Sequence, residues 1–195
     1  MKKWQTAALM GVTVSAAAAA AYLLKRRNDG AEAGTEKTKP AKALKNPGSA
    51  EYSFVSGYNN AETVKAAFTY DADRFSYKVI EDEFLTYTDN AHVGALYGEE
   101  FNIQVEYTDF IAGESFDKHA EYLAEKYKGF SRVKYGENEG CMYYDGDGTC
   151  FVFPASDFSC LLLCVLLNKN SKLRQEDVRS AEDVSDILTS LTIGR

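Results

Sequence analysis

The most hydrophobic part of the C-terminal half is the run from Phe158 to Leu167, in which nine of ten residues are apolar. Ser156 and Asp157 precede it, and Asn168 to Asn170 follow it. Ten residues are too few to cross a bilayer as a helix. A short apolar run bounded by turn-forming residues is typical of a strand buried on both faces, although periodicity alone does not distinguish it from a buried helix. We interpret it as a central strand around which the other elements pack.

Alternating apolar and polar positions predict further strands. The clearest alternation covers 100–108, where apolar side chains at odd positions and polar ones at even positions indicate a half-buried strand. The turn Asp145-Gly146-Asp147-Gly148 lies between two apolar segments and predicts a β-hairpin. Shorter candidate strands lie at 64–68, 75–79, 84–87, 92–97 and 131–135. Consecutive hairpins favour an antiparallel sheet.

Helical periodicity predicts two amphipathic helices. The first follows Ser115, a suitable N-cap, and ends near Gly129, and the second follows Ser180, which forms a capping-box pattern with Asp183. Each carries one apolar stripe, at 116, 120, 123 and 127 in the first and at 184, 187, 188 and 191 in the second. We therefore predict an α+β fold in which helices cover both faces of an antiparallel sheet, an α/β/α sandwich.

The N-terminus carries an uncharged run at 4–24, between Met1-Lys2-Lys3 and Lys25-Arg26-Arg27. As a helix it is about 31 Å long, enough to cross a bilayer core. It fits an uncleaved membrane anchor or a signal peptide cleaved among the alanines at 16–21. We favour the anchor, because the apolar run continues beyond those alanines. Basic residues at both ends leave the orientation open. The larger number of bases after the run favours a cytoplasmic domain by the positive-inside rule. The short N-terminal tail with two lysines is typical of an export signal, and we slightly prefer an extracytoplasmic domain.

Residues 28–50 have no hydrophobic periodicity and contain two of the three prolines, which predicts a flexible linker. We therefore divide the chain into a signal anchor or signal peptide at 1–27, this linker, and a globular domain at 51–195. The last of these holds 13 basic and 26 acidic side chains, a net charge of −13. Such an acidic domain repels the nucleic-acid backbone, which excludes nucleic acid as a partner.

The four cysteines all lie in the last third of the chain. Cys160 and Cys164 would be about 13 Å apart in one strand, beyond the reach of a disulfide. Cys141 and Cys150 flank the hairpin turn and would face each other if a four-residue loop at 144–147 set the register. We consider that pair a candidate disulfide, and free thiols in a reducing compartment fit the same residues.

Other chemical signals in the sequence are weak. The turn that starts at Asp145 does not match a calcium loop, because position 5 is Thr149 and position 12 is Ser156 instead of the required Glu. We expect His92 and His119 to be ordinary surface or partly packed residues. Tyr143 and Tyr144 fit cross-strand packing better than a binding face. No phosphate-binding, dinucleotide-binding or serine-hydrolase motif occurs, so we predict no enzyme and no catalytic, cofactor-binding or metal-binding residue.

Five features follow one another in a recognisable order: 75–80, 101–105 before the Ser115 helix, the 141–153 hairpin, the apolar strand and 182–191. This order resembles the PsbP-like fold of a photosystem II extrinsic subunit and of many small bacterial secreted or lipid-anchored proteins. The resemblance covers roughly 63–193, but 80–84 lacks the proline that such proteins often have there. Because the family shares no catalytic residues, the resemblance implies accessory binding or assembly roles.

These inferences lead to two expectations for function. The first is a non-catalytic, membrane-tethered domain with a protein-interaction or accessory assembly role, whose partners are the membrane, through the N-terminal helix, and an unidentified protein. The alternative is an extracytoplasmic domain that binds a cation or a small ligand, because the globular domain is so acidic. No cofactor is expected in either case.

Overall fold

A computed structural model describes residues 44–56, 62–79, 91–110, 115–157 and 159–194. Strands dominate these residues, with two α-helices and one 3-10 helix between them. The elements are β1 (Pro47–Ser56), β2 (Glu62–Asp71), β3 (Phe75–Val79), β4 (Ala91–Gly98), β5 (Phe101–Asp109), α1 (Phe116–Lys126), β6 (Lys128–Tyr135), β7 (Asn138–Asp145), β8 (Gly148–Pro154), β9 (Ser159–Leu167), a 3-10 helix (Gln175–Ser180), α2 (Glu182–Ser190) and β10 (Thr192–Gly194).

The strands form two antiparallel sheets. The larger has seven strands in the order β3-β4-β5-β9-β8-β7-β6, and the smaller has three in the order β1-β2-β10. Strand β9 is therefore the central strand of the larger sheet, which confirms our interpretation of the apolar run. It pairs with β5 from Ser159 to Leu167 and with β8 from Cys160 to Leu166, so its backbone groups are hydrogen-bonded on both sides.

The two faces of the seven-stranded sheet are covered differently. On one face, core residues of the sheet pack with apolar residues of β1, β2 and α2 in a single cluster. On the other face, Ala120 and Leu123 of α1 pack on strands β7, β8 and β9. The described residues thus form a mainly β structure in which a second sheet and α2 pack on one face of the larger sheet and α1 packs on the other.

The predicted α/β/α sandwich is therefore wrong. The physical reason lies in β1 and β2, where alternation places one row of apolar side chains on the inner face of each of two paired strands. That ribbon supplies the surface that we had assigned to helices alone. Strand β1 begins at Pro47, inside the predicted linker. Pro47 and the lysines before it are typical of a linker, so they outweigh the alternation of the following residues in the prediction. The buried residues of the ribbon are Ala50, Tyr52, Phe54, Val64, Ala66 and Phe68.

Both predicted helices occur, with a different start for the second. Helix α1 is capped by Ser115, whose side chain accepts a hydrogen bond from the backbone N of Lys118, as predicted. Helix α2 buries the predicted stripe, but its N-cap is Ala181, so the capping-box prediction is wrong. Ser180 instead lies in the 3-10 helix, where its hydroxyl donates to the backbone O of Asp177.

No helix among the residues that the structure describes is long and apolar enough to cross a membrane. The anchor predicted at 4–24 and the strand predicted at 84–87 lie outside those residues. Membrane attachment through an N-terminal helix is therefore a prediction for which the structure shows no helix. The assignment of the membrane as a partner is corrected accordingly.

A polar junction holds the end of β9 against the β4–β5 turn. The side-chain amide of Asn168 donates to the backbone O of Gly98 at 2.8 Å and of Glu99 at 2.9 Å. Its backbone N donates to the backbone O of Glu100 at 2.9 Å. The amide of Asn102 donates to Oδ1 of Asn168 at 2.9 Å. These bonds fix the register between β5 and β9 at one end of the ladder.

Thr149 offers a direct test of this core. It is fully buried in β8, and its hydroxyl has no hydrogen-bond partner among the described residues. Burying an unpaired hydroxyl destabilises a fold. We expect Thr149→Val to raise the free energy of unfolding by about 1 kcal/mol in urea denaturation.

Thr192→Val is the matched control for that experiment. The hydroxyl of Thr192 donates to the backbone O of Ala67 at 3.2 Å. Removal of this hydroxyl should therefore either lower the free energy of unfolding or leave it unchanged. A loss of stability in Thr149→Val comparable with that in Thr192→Val would show that the Thr149 hydroxyl is hydrogen-bonded after all.

Candidate functional site

All four cysteines lie on the sheet face that α1 covers. They belong to three neighbouring strands, Cys141 to β7, Cys150 to β8, and Cys160 and Cys164 to β9. Cys141, Cys150 and Cys160 pack with Tyr143, Ala120 and Leu123 in one apolar cluster, and the partly buried Cys164 packs against it. We call this group the sulfur layer. Strand alternation explains the arrangement, because Cys160 and Cys164 are four residues apart and therefore point to the same face.

Within the sulfur layer, Cys150 and Cys164 form a disulfide between adjacent strands. They are directly opposite each other in the β8–β9 ladder, with their Cα atoms 4.3 Å apart. Cys141 and Cys160 are buried and take no part in this bond. The bond therefore cross-links β9, the strand at the centre of the larger sheet, to its neighbour.

The candidate pair Cys141–Cys150 is not the pair that the structure joins. The β7–β8 turn contains only Gly146 and Asp147, instead of the four-residue loop that the pairing required. This register places Cys141 opposite Val152, and it places Cys150 opposite Tyr143. A sequence signal for the observed pair exists, because Cys150 and Cys164 lie at equal distances on either side of Asp157, in the loop between their strands.

Burial controls the acidity of the groups in this layer. It raises the pKa of the Cys141 thiol to about 11, against an opposing effect of the Arg132 guanidinium on the neighbouring strand. It also raises the pKa of the Tyr143 phenol. Since the thiolate is the reactive form of cysteine, Cys141 is unreactive at neutral pH.

The residues next to the disulfide are polar on one side and aromatic on the other. Four residues face one another in adjacent strands, in the order Gln104, Cys164, Cys150 and Tyr143. Gln104 and Cys164 are half-buried, whereas Cys150 is only 2% exposed. The two sulfur atoms therefore occupy different environments, Cys164 beside a polar side chain and Cys150 beside a buried aromatic ring.

The remaining candidate residues do not assemble into a site. His119 lies in α1, with its ring 5.3 Å from that of Phe110, while His92 lies in β4 opposite Glu106 of β5. Asp145 and Asp147 are exposed at the β7–β8 turn. The described part of the chain contains no group of three or more His, Cys, Asp or Glu that could hold a metal ion.

The tyrosines of the hairpin have packing roles. Tyr143 is buried, and its ring stacks on that of Tyr127 with 4.4 Å between centroids. Tyr144 is half-buried and packs against the main core. Both rings therefore pack in hydrophobic clusters, and neither forms an exposed binding face.

The second candidate feature is the outer edge of β1. The backbone N of Ala72 donates to the backbone O of Asn46 at 2.8 Å. Asn46 and Ala72 are the opposite pair next to Pro47 and Asp71, with which the β1–β2 ladder begins. Because hydrogen-bonded positions alternate along an antiparallel ladder, even-numbered residues of β1 bond to β2, and odd-numbered residues direct their backbone groups away from it. Among the described residues, β1 pairs with β2 alone.

The other sheet edges of the described chain are short or protected. Strand β3 has five residues and β10 has three. Strand β6 carries three exposed basic side chains, Lys128, Arg132 and Lys134, and a register shift between Lys128 and Ser131. Such charges and irregularities prevent strand pairing at edges. Strand β1 has ten residues, an unbroken register and Glu51 as its one charged residue, so its edge is open to pairing.

Comparison of the chain with protein-family models, with curated proteins and with solved structures returned no match. The resemblance to the PsbP-like fold therefore stays a prediction.

The raised pKa of Cys141 predicts a specific dependence of stability on pH. The thiol ionises near its ordinary pKa of 9.0 in the unfolded chain and at about 11 in the folded chain. Its contribution to stability is therefore complete below pH 9 and is lost as the pH rises through 11. From this group alone we expect the free energy of unfolding to fall by about 1 kcal/mol between pH 7.5 and 10, and Cys141→Ala should remove this part of the fall.

Val152→Ala is the control for that comparison, because Val152 faces Cys141 across the ladder but does not titrate. It should lower stability by the same amount at both pH values. An equal fall in wild type and in Cys141→Ala would contradict the assigned burial of the thiol.

Proposed function

We propose that the described domain is a non-catalytic protein-interaction domain that binds an extended segment of a partner protein along the open edge of β1. The observation that carries the proposal is the contrast among the sheet edges. Strand β1 has a long, regular and nearly uncharged edge, whereas β3 and β10 are short and β6 is protected by charge and by its register shift. An added strand gains affinity from main-chain hydrogen bonds at such an edge.

The backbone of β1 supports this mode of binding. The odd-numbered residues Ser49, Glu51 and Ser53 each direct an N–H and a C=O outward, by the alternation set at Asn46 and Ala72. Their side chains are exposed, and two of the three are small. The inner side of the strand is held by Ala50, Tyr52 and Phe54 in the core, so the edge is presented by a fixed element.

Charge indicates the chemistry of the partner segment. Glu51 is the one charge on the edge, and residues 51–195 carry a net charge of −13. A basic extended segment is attracted to such a surface, whereas a second copy of the same acidic domain is repelled. We therefore propose a partner segment that contains Lys or Arg.

The disulfide supports the expected extracytoplasmic location. Disulfides form and persist in oxidising compartments and are rare in the cytosol. Cys150 and Cys164 are joined in this structure. We therefore propose that the domain functions in an oxidising compartment.

The alternative function, binding of a cation or a small ligand, has no specific observation in its favour. Its motivation was the net charge of −13 on residues 51–195, which fits a basic partner equally well. No set of three metal-ligating side chains comes together within the described ranges. The alternative stays a prediction without a site.

A proline at position 53 tests the edge. Ser53 directs its N–H away from β2, so Ser53→Pro should leave the β1–β2 ladder intact and remove one outward donor. The probe is a peptide of about eight residues in which lysine and valine alternate, a usual strand length. We expect Ser53→Pro in the full chain to weaken binding of this peptide about tenfold in titration calorimetry, because a main-chain bond is lost and the ring blocks the edge.

Three controls accompany that measurement. Ser53→Thr keeps the N–H and should bind like wild type, and Glu51→Gln should weaken binding while leaving the edge intact. A peptide of alternating glutamate and valine should bind more weakly than the lysine peptide. The proposal fails if the lysine peptide does not bind saturably, if Ser53→Pro binds as well as wild type, or if sedimentation shows that the edge is occupied by a second copy.

A further inference from the structure

We propose that Cys164 is a site of thiol–disulfide exchange, at which an external thiolate opens the disulfide between β8 and β9. The proposal rests on the unequal surroundings of the two bonded sulfur atoms. Cys150 is 2% exposed beneath α1, whereas Cys164 is half-buried. Exchange requires a thiolate to reach one sulfur atom, so the more accessible atom decides where the attack occurs.

The neighbours of the two cysteines favour the same direction of attack. Across the ladder, Cys164 faces Gln104 on one side, and Cys150 faces the buried Tyr143 on the other. A charged thiolate approaching from the polar side reaches Cys164 without entering the apolar cluster under α1. Attack on Cys150 would require a charge within that cluster.

The exchange is balanced with a low-molecular-weight thiol as the co-reactant. Its thiolate forms a bond to Sγ of Cys164 and breaks the bond between Cys164 and Cys150. The electron pair of the broken bond leaves on Cys150, which takes up a proton from solvent. A second thiolate then attacks the mixed disulfide, releases the oxidised thiol dimer and leaves two cysteine thiols in the protein.

Cys141 and Cys160, which lie outside the disulfide, do not divert this reaction. Cys141 faces Val152 instead of a bonded cysteine, and its buried thiol is protonated at neutral pH. Cys160 lies four residues from Cys164 in the same strand, about 13 Å away. Within the layer, the Cys150 thiol opposite Cys164 is therefore the group that can expel the external thiol again and restore the original disulfide, and complete reduction requires a second external thiol.

The fold tolerates the opening of the bond. Strands β8 and β9 remain paired from Gly148 with Leu166 to Pro154 with Cys160, and β9 remains paired with β5. Loss of the cross-link between residues 14 positions apart still increases the freedom of the unfolded chain. Reduction should therefore lower the thermal midpoint without unfolding the domain.

The experiment uses the full oxidised chain with reduced glutathione at pH 8, quenched with acid and analysed by peptide mass mapping. We expect about tenfold more glutathione adduct at Cys164 than at Cys150, because the more accessible sulfur atom reacts. An adduct mainly at Cys150 would overturn the proposal. So would the absence of any adduct in the folded chain under conditions in which the urea-unfolded chain reacts.

Cysteine variants provide an independent readout. Dithiothreitol should lower the thermal midpoint of wild type and of Cys141→Ala/Cys160→Ala, but not that of Cys150→Ser/Cys164→Ser. An equal shift in Cys150→Ser/Cys164→Ser would assign the effect to another cause and would overturn the proposal. These measurements do not involve the β1 edge, so their outcome is separate from that of the peptide experiment.

Discussion

The pairing of β9 with both of its neighbours is the constraint on which the rest of the larger sheet depends. The strand is apolar on both faces, so it is stable only where another layer covers each face. One face is covered by the core cluster that includes the smaller sheet and α2, and the other by the sulfur layer and α1. The register of β9 also determines which residues meet across the sheet, including Cys150 and Cys164.

The smaller sheet satisfies one part of this constraint and creates a new surface. Strands β1 and β2 bury one row of side chains each, and their aromatic rings contact the larger sheet, as in the stacked pair Phe54–Tyr107 at 4.4 Å. Within the described residues this sheet has three strands, and β10 is short. The long strand β1 is therefore left at an edge, and the same alternation that anchors it in the core directs alternate backbone groups outward.

Local patterns in the sequence predicted most of the elements. The apolar run predicted β9, the Asp145–Gly148 turn predicted the β7–β8 hairpin, and the stripe after Ser115 predicted α1. Each of these signals depends on residues close together in the chain. Strand β1 was missed because the proline-rich and lysine-rich residues before Glu51 resemble a linker, although Ala50, Tyr52 and Phe54 alternate correctly.

The errors concern register and the packing of distant segments. The length of the β7–β8 turn, two residues or four, determines which residue of β8 lies opposite Cys141. The sequence at 144–147 is compatible with either length. The disulfide depends on the β8–β9 register, and the covering of the larger sheet depends on contacts between segments about a hundred residues apart, such as Thr69 with Ser190. Such non-local choices are decided by the combined burial of the whole core.

The central claim is that the outer edge of β1 is open in the isolated domain and takes up a strand from a partner. Amide hydrogen exchange resolved by NMR tests it most directly. The account predicts fast exchange at Ser49, Glu51 and Ser53 and slow exchange at Ala50, Tyr52 and Phe54, with the first three becoming protected when the lysine–valine peptide binds. Equal protection of all six amides in the free, monomeric chain would show that the edge is already paired and would contradict the account.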